Sequence, residues 1–189
     1  MIRIGIIGDI GSGKSYIAKQ FGYPVFNADF EVTKLYKKNK KCCKKLRKIF
    51  PEHIVSFPVR KNEISKIIME SENNIKKIAK IIHPEIRLKM IKFIKKNKKK
   101  KFVILDIPLL IENKINRKSD ILVFIDDKKK EIREKLKKRK NFNQKIYKKF
   151  KKLQLPIEVK KEKSNFIIKN NFKNNFTKKN VKKIIKKLL

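Results

Sequence analysis

The segment from Gly8 to Ser15, GDIGSGKS, fits the pattern G-x-x-x-x-G-K-[ST] and directly follows the apolar run 2–7. This order predicts a buried strand, a glycine-rich loop and a helix that opens at Lys14, which is the context that a phosphate-binding loop requires. Four of the five glycines in the chain stand at positions 5 to 13. Glycine lets a backbone turn its N–H groups around phosphate oxygens. We therefore expect the loop to bind a nucleoside triphosphate.

The motif also assigns contacts within the loop. Lys14 is expected to reach the β- and γ-phosphates, and the Ser15 hydroxyl is expected to bind Mg²⁺. The residues predicted to surround the nucleotide here are Gly8, Ile10, Gly11, Ser12, Gly13, Lys14, Ser15 and Tyr16.

Apolar runs of strand length alternate with amphipathic segments along the whole chain. The runs are 2–7, 24–27, 102–106, 121–125 and 165–168. This alternation predicts an α/β fold with a doubly wound, parallel five-stranded sheet, whose ligands bind at the carboxyl ends of the strands.

Helical periodicity fills the stretch between the second and third predicted strands, with a break expected at Pro84. P-loop kinases carry an acceptor-binding lobe at this position. We therefore expect a nucleotide-binding core of residues 1–30 and 100–189, with a helical lid at about 139–163, and a helical acceptor-binding lobe of residues 31–99.

The net charge of +38, from 55 basic and 17 acidic residues, invites a nucleic-acid interpretation. Only seven of the basic residues are arginine, and the lysines are spread along nearly every predicted helix. A dedicated nucleic-acid surface more often clusters arginine and exposed aromatic residues. We interpret the lysines as a solvated surface and expect no specific nucleic-acid partner, with a nucleic-acid-associated P-loop protein as the alternative.

The cysteines and the apolar runs bear on location. Cys42 and Cys43 are adjacent, and no Cys/His spacing typical of a metal site occurs. The N-terminal segment predicts a strand rather than a signal peptide, and the longest apolar run is interrupted by Asp106. We expect a cytoplasmic protein without a membrane segment.

The short length of the chain and its lack of the N-K-x-D motif of GTPases favour a small-molecule kinase. Three further segments narrow the class of kinase. Asn27-Ala28-Asp29 follows the second strand, His83-Pro84-Glu85-Ile86-Arg87 lies in the helical lobe, and the third strand leads into LDIPLLIE at 105–112. Together with residues 8–15, these segments resemble the dephospho-CoA kinase family. The resemblance covers essentially the whole chain and keeps the same order.

The resemblance implies ATP-dependent, Mg²⁺-assisted transfer of a phosphoryl group to the ribose 3′-hydroxyl of dephospho-CoA. It makes Asp29 the carboxylate that orients or deprotonates that hydroxyl. Lys14 and Arg139 are then the catalytic cations, and Arg139 also contacts the nucleotide. Asp106 joins Ser15 as a candidate metal-side group.

The resemblance also implies a set of binding residues. His83, Arg87 and Lys160 join Asp29 in holding dephospho-CoA, and Asn170 lies on the nucleotide side. The expected partner is this small molecule alone, and the protein is expected to be a monomer or a weak homo-oligomer.

The residues leave alternatives open. Asp29 can also act as a helix-capping residue, His83-Pro84 as a helix start, and Asp106 as a strand-end turn residue. Arg139 can belong to a solvated lysine-rich face. Another small-molecule P-loop kinase, of the nucleoside monophosphate or shikimate type, is the alternative enzyme.

The chain departs from the family at three positions. Asp9 replaces a glycine that is usual in the loop, Asn27 replaces the first acid of D-A-D, and Phe172 stands where a glycine usually ends the late motif. These departures bear on how the loop and its metal site work in this chain.

Overall fold

The computed structural model describes residues 1–127, 134, 136–138, 142–171 and 174–189. Its strands are β1 (Ile2–Gly8), β2 (Val25–Asn27), β3 (Phe102–Asp106), β4 (Ile121–Asp126) and β5 (Phe166–Lys169). Its helices are α1 (Lys14–Gln20), α2 (Ala28–Lys38), α3 (Lys40–Ile49), α4 (Lys61–Glu70), α5 (Glu72–Lys96), α6 (Gln144–Lys152), α7 (Ile157–Glu162) and α8 (Asn174–Leu188).

Within these residues, the five strands form one parallel sheet in the order β2-β3-β1-β4-β5. β1 pairs with β3 on one side and with β4 on the other, so that Ile4 lies opposite Ile104 and Ile121. β3 is buried along its whole length, as expected for a continuous apolar strand that is covered on both faces. The predicted parallel sheet is confirmed. Because all strands run the same way, the segments that follow them emerge at one edge of the sheet.

The sheet packs against α1 and α8 through aliphatic side chains. Ile17 of α1 and Val181 of α8 are fully buried together with Ile4 and Val123 of the sheet. Burial of each such side chain contributes about 1.5–3 kcal/mol to stability. This packing fixes the start of α1, and with it the preceding loop, at the carboxyl edge of β1.

The chain divides into two compact units, called unit 1 and unit 2 below. Unit 1 comprises residues 1–27, 96–142 and 150–189 and contains the sheet. Unit 2 comprises residues 28–95 and 143–149 and is helical. That residues 31–99 form an acceptor-binding lobe stays a prediction.

In unit 2, α5 is a single helix that continues through Pro84. The expected break at this proline is wrong. An interior proline removes one backbone hydrogen bond and opposes helix formation by about 3 kcal/mol. Ile78, Ile82, Ile86 and Met90 bury one face of the helix on both sides of that point, and their burial outweighs the cost.

The carboxylate of Glu63 organises the loop that leads into α4. Its Oε1 accepts hydrogen bonds from the N–H groups of Val55 at 3.1 Å and Ser56 at 3.0 Å. Its Oε2 accepts from the Arg60 N–H at 2.7 Å and from the Ser56 hydroxyl at 2.9 Å. Burial by itself raises the pKa of Glu63, but these hydrogen bonds together lower it by more, so the pKa lies below its ordinary value.

We predict that Glu63→Gln lowers the free energy of unfolding by about 2–3 kcal/mol at pH 7, because an amide NH₂ cannot accept these N–H groups. The folded-state pKa is depressed, so the carboxylate's contribution is complete above its unfolded pKa and disappears as the pH falls through the folded one. Urea unfolding at pH 7 and at about pH 3 measures both effects. Glu52→Gln, which alters an exposed carboxylate of the same unit, is the control. An equal loss of stability at both pH values would contradict the assignment.

Candidate active site

The loop between β1 and α1 depends on three glycines. The φ angle is +152° at Gly8, +87° at Gly11 and +86° at Gly13, a range that other residues rarely adopt. A Cβ on Gly8 would also lie 2.8 Å from the Ser12 hydroxyl oxygen. Gly13 is the N-cap residue of α1, and because it has no side chain it accepts no side-chain hydrogen bond from the first N–H groups of the helix. A tight glycine turn into an uncapped helix start is the backbone arrangement that phosphate oxygens require.

Lys14 lies back across this loop. Its Nζ donates to the carbonyl oxygen of Gly8 at 3.2 Å and to that of Asp9 at 2.7 Å. The ammonium group is therefore held at the loop by backbone dipoles. Phosphate oxygens carry formal charge and form stronger hydrogen bonds with an ammonium group than carbonyl oxygens do. Lys14 is thus positioned to exchange these carbonyl contacts for contacts with phosphate.

Asn170 supports the loop from the end of β5. Its side-chain NH₂ donates to the carbonyl oxygen of Ser12 at 2.8 Å, and its backbone N–H donates to that of Asp126 at 2.6 Å. Both Asn170 and Ser12 are buried. The sequence predicted that Asn170 contacts the nucleotide, and the structure places its side chain on the backbone of the phosphate-binding loop.

Ser15, Asn27 and Asp106 come together at the carboxyl ends of β2 and β3. Asn27 lies opposite Asp106 in the strand register, and its side-chain NH₂ donates to Asp106 Oδ2 at 2.5 Å. The same NH₂ lies 3.5 Å from the Ser15 hydroxyl. Asn27, which replaces an acid of the family pattern, therefore joins the two residues predicted to lie beside the metal.

This group of side chains fits Mg²⁺, which prefers hard oxygen ligands. Ser15 supplies a hydroxyl and Asp106 a carboxylate, and Mg²⁺ in phosphotransferases commonly keeps several waters and phosphate oxygens as its other ligands. Among the described residues, no group of three or more His, Cys, Asp or Glu side chains could hold a metal ion by itself.

Lys160 is buried beside the loop and is paired with Glu112. Its Nζ lies 3.2 Å from Glu112 Oε1, and the same oxygen accepts the backbone N–H of Leu155 at 3.1 Å. Both side chains line a small cavity together with Gly8 and Lys14. The sequence predicted that Lys160 contacts substrate, and the structure pairs it with Glu112 beside the loop.

A second group of carboxylates lies at the end of β4 and in the loop itself. Asp126 pairs with Lys161 at 3.0 Å, and Asp9 pairs with Lys151. Burial, together with the negative charges of Asp9 and Asp126, raises the pKa of Asp127 from 3.8 to about 6. The Oδ2 of Asp127 is buried and has no hydrogen-bond partner in the described part of the chain.

Unit 2 carries the remaining predicted acceptor residues. Asp29 is an exposed residue in the first turn of α2, and its carbonyl oxygen accepts the Thr33 hydroxyl at 2.9 Å. His83 and Arg87 lie one turn apart on α5. Burial lowers the pKa of His83, and the Arg87 charge lowers it further, so the imidazole is neutral at pH 7.

Two other residues of the predicted nucleotide site are Tyr16 and Ile10. Tyr16 is 40% exposed in the first turn of α1, and the Ile10 N–H donates to Asp9 Oδ1 at 2.8 Å. Arg139 and Phe172 lie outside the described residues.

The sequence assigned no role to Glu112, Asp127 or Lys151. One feature of the sequence, Asp9, could have indicated a cation such as Lys151, because a carboxylate in a phosphate-binding loop requires a nearby positive charge.

Comparison with known proteins decides the family. The family model described as dephospho-CoA kinase matches residues 2–176. The chain belongs to the dephospho-CoA kinase family. A dephospho-CoA kinase of Wolbachia sp. subsp. Brugia malayi (strain TRS) is 32% identical over 170 residues, which cover 87% of each chain. One from Bartonella quintana (strain Toulouse) is 34% identical over 170 residues, again 87% of each.

Solved structures share the fold. TT1252 from Thermus thermophilus has a TM-score of 0.81 at 24% identity and covers 100% of this chain and 97% of its own. Dephospho-CoA kinase from Campylobacter jejuni has a TM-score of 0.62 at 22% identity, covering 98% and 96%. Shikimate kinase from Acinetobacter baumannii has a TM-score of 0.54 at 14% identity, covering 100% and 93%. These similarities confirm the predicted P-loop kinase fold.

Membership in the dephospho-CoA kinase family confirms the predicted enzyme class. The chain is a kinase that uses ATP to phosphorylate dephospho-CoA. The family match thus favours this acceptor over the shikimate, nucleoside monophosphate and nucleic-acid alternatives. Among the described residues, no helix has the length and apolar character needed to cross a membrane.

We predict that Asp127→Asn stabilises the protein at pH 7 by on the order of 1 kcal/mol, after allowance for solvent screening of a half-buried group. The folded-state pKa of about 6 exceeds the ordinary value of 3.8. The folded protein therefore binds the proton more tightly, and wild-type stability falls as the pH rises between these values. The gain should vanish near pH 4. Urea unfolding across this range tests it, with Asp126→Asn, which loses an ion pair with Lys161, as the control expected to show no gain.

Proposed function

We propose that the β1–α1 loop binds the triphosphate of ATP beside Mg²⁺, and that the γ-phosphoryl group passes to the ribose 3′-hydroxyl of dephospho-CoA. The observation that carries this proposal is the position of Lys14. Its ammonium group is held by the carbonyl oxygens of Gly8 and Asp9 in the same loop. Lys14, at the start of α1, meets the β- and γ-phosphates and stabilises the charge that shifts during transfer.

The backbone of the loop supplies the remaining phosphate contacts. N–H groups of Gly11 and of residues 13–16 hold the phosphate oxygens, with Gly11 and Gly13 giving the turn that aims them inward, whereas the Ile10 N–H donates to Asp9 Oδ1. Asn170 keeps this turn in place through its hydrogen bond to the Ser12 carbonyl oxygen. Its contribution to nucleotide binding is therefore made through the loop.

Ser15 and Asp106 are the groups that would hold Mg²⁺ on the protein side. The ion, when bound with ATP, neutralises charge on the β- and γ-phosphate oxygens. Asn27 keeps the Asp106 carboxylate in place by donating a hydrogen bond to it. An amide donor at position 27 orients this carboxylate without adding a second negative charge beside the phosphates.

Asp29 is the proposed base for the acceptor hydroxyl. It follows the end of β2 by two residues and lies in the first turn of α2. Its side chain is exposed and lies at the N-terminal end of α2, where it is accessible to a bound ligand. The carboxylate accepts the proton of the ribose hydroxyl group as the hydroxyl oxygen attacks the γ-phosphoryl group in line.

The remaining assignments follow the family pattern. His83 and Arg87 of unit 2 would hold dephospho-CoA, the neutral imidazole by hydrogen bonding and the guanidinium by charge. Arg139 is the proposed lid cation on the transferring group, and residues 139–163 the proposed lid. Lys160, which is buried against Glu112, is proposed as a further cation that contacts substrate.

The two cysteines bear on the cellular location that we propose. Cys42 and Cys43 are buried free thiols, and burial raises the pKa of Cys42 to about 11. Inert thiols of this kind fit the reducing cytoplasm. We expect a monomer or weak homo-oligomer without a specific nucleic-acid partner.

An acceptor screen tests the proposed reaction. The purified chain should form ADP from ATP only when dephospho-CoA and Mg²⁺ are both present, and mass spectrometry with NMR should locate the new phosphate at the ribose 3′ oxygen. Shikimate and nucleoside monophosphates should give no turnover. Lys14→Ala should lower kcat/KM by about 10³-fold or more, whereas Lys19→Ala, on an exposed part of the same helix, should leave it nearly unchanged. Turnover that survives in Lys14→Ala would overturn the loop assignment.

We predict that Asp29→Asn lowers kcat by about 10²–10⁴-fold while the Kd for ATP changes less than about threefold, because an amide cannot accept the hydroxyl proton. Single-turnover kinetics and calorimetric ATP titration separate the two quantities. Glu158→Gln, an exposed acidic residue in the first turn of α7, is the matched control. Equal losses of kcat and ATP affinity would show that Asp29 has no specific part in the transfer.

A further inference from the structure

The phosphate-binding loop of this chain contains a buried carboxylate. Asp9 is 8% exposed, and its Oδ1 accepts the N–H of the next residue, Ile10, at 2.8 Å. Its own carbonyl oxygen accepts Lys14 Nζ at 2.7 Å. The side chain is therefore folded against the loop that receives phosphate. A negative charge at this position opposes the binding of polyanionic phosphates unless another group neutralises it.

Lys151 supplies that neutralising charge from the last turn of α6. Its Nζ contacts Asp9 Oδ2, and the Lys14 ammonium contacts the backbone carbonyl oxygen of Asp9. The Asp9 side chain is 11% exposed and that of Lys151 is 38% exposed. An ion pair in which one partner is this buried leaves a costly unpaired charge when the other is removed.

Two further carboxyl groups lie at the end of β4. Asp126 is paired with Lys161 at 3.0 Å. Asp127 adds a further carboxyl group, whose pKa is raised by burial and by the negative charges of Asp9 and Asp126. Negative charge is thus already crowded at the carboxyl ends of β1 and β4. Loss of the Lys151 charge would remove the ion-pair partner of the Asp9 carboxylate.

We propose that Lys151 is a positioning residue for nucleotide binding, which acts through Asp9 by neutralising the loop carboxylate so that the loop accepts the phosphates of ATP. The proposal rests on the proposed role of the loop as the ATP site. Lys151 does not need to touch the nucleotide for this effect. Its contribution therefore depends on the carboxylate at position 9, and it should disappear when that carboxylate is removed.

A double-mutant cycle on the full chain tests this dependence, with the Kd for ATP in the presence of Mg²⁺ measured by calorimetry. Lys151→Met should raise the Kd about tenfold or more, because it leaves the Asp9 charge unpaired. In the Asp9→Asn background, the same substitution should change the Kd less than about threefold. Asp9→Asn alone should bind ATP at least as tightly as the wild type. The KM for dephospho-CoA should stay within about twofold in all variants, since the effect is confined to the ATP site.

Two controls define the effect. Lys151→Arg keeps the charge and should keep the Kd within about threefold of the wild type. Lys148→Met removes an exposed lysine from the same helix and should leave the Kd unchanged. Melting temperatures verify that each variant is folded. If Lys151→Met does not fold, the Asp9→Asn single variant decides the question, because weaker ATP binding in that variant overturns the proposal.

The contrary outcomes are distinct. An equal loss of affinity from Lys151→Met in both backgrounds would mean that Lys151 contacts ATP directly, and no loss in either would mean that it has no part in binding. Either result overturns the proposal while leaving the kinase activity intact. Undiminished ATP binding by Lys14→Ala would instead contradict the proposed phosphate site, whatever the result of the cycle.

Discussion

Parallel hydrogen bonding of β1 to both β3 and β4 is the constraint on which the rest of unit 1 depends. It places β1 in the middle of the sheet, so the loop that follows Gly8 emerges between the ends of its neighbours. The strand register then brings Asn27 opposite Asp106, within reach of Ser15 at the start of α1. A backbone pattern that involves no catalytic side chain thereby brings the Ser15 hydroxyl, the Asn27 amide and the Asp106 carboxylate together beside the loop.

Short-range pairing, and not the net charge of +38, organises the electrostatics around that loop. Lysines are abundant over the surface, but those beside the loop have specific partners: Lys151 pairs with Asp9, Lys160 with Glu112, and Lys161 with Asp126. Salt screens the field of the distant lysines within about 8–10 Å, whereas contacts that are partly removed from water are screened much less. Acidic residues are scarce in this chain, so each one near the loop has a large local effect.

Much of the fold could be predicted because its signals are local. Continuous apolar runs identified the strands, and the glycine pattern identified the loop, since each depends on neighbouring residues only. The break predicted at Pro84 was wrong because an apolar face buried along the whole of α5 outweighs one local preference. The partner of Asp9 could not be found in this way, because Lys151 stands 142 positions away among many other lysines.

The sequence by itself determined the class of the protein: a parallel α/β fold with a phosphate-binding loop, and a resemblance to a family that the family match confirms. Tertiary structure alone decided which polar groups meet. It placed Asn170 on the loop backbone, Lys160 against Glu112, and Lys151 on the carboxylate of Asp9. The physical reason is that a motif records which groups one short segment carries, whereas charge pairing depends on distances of a few ångströms that only the packed chain defines.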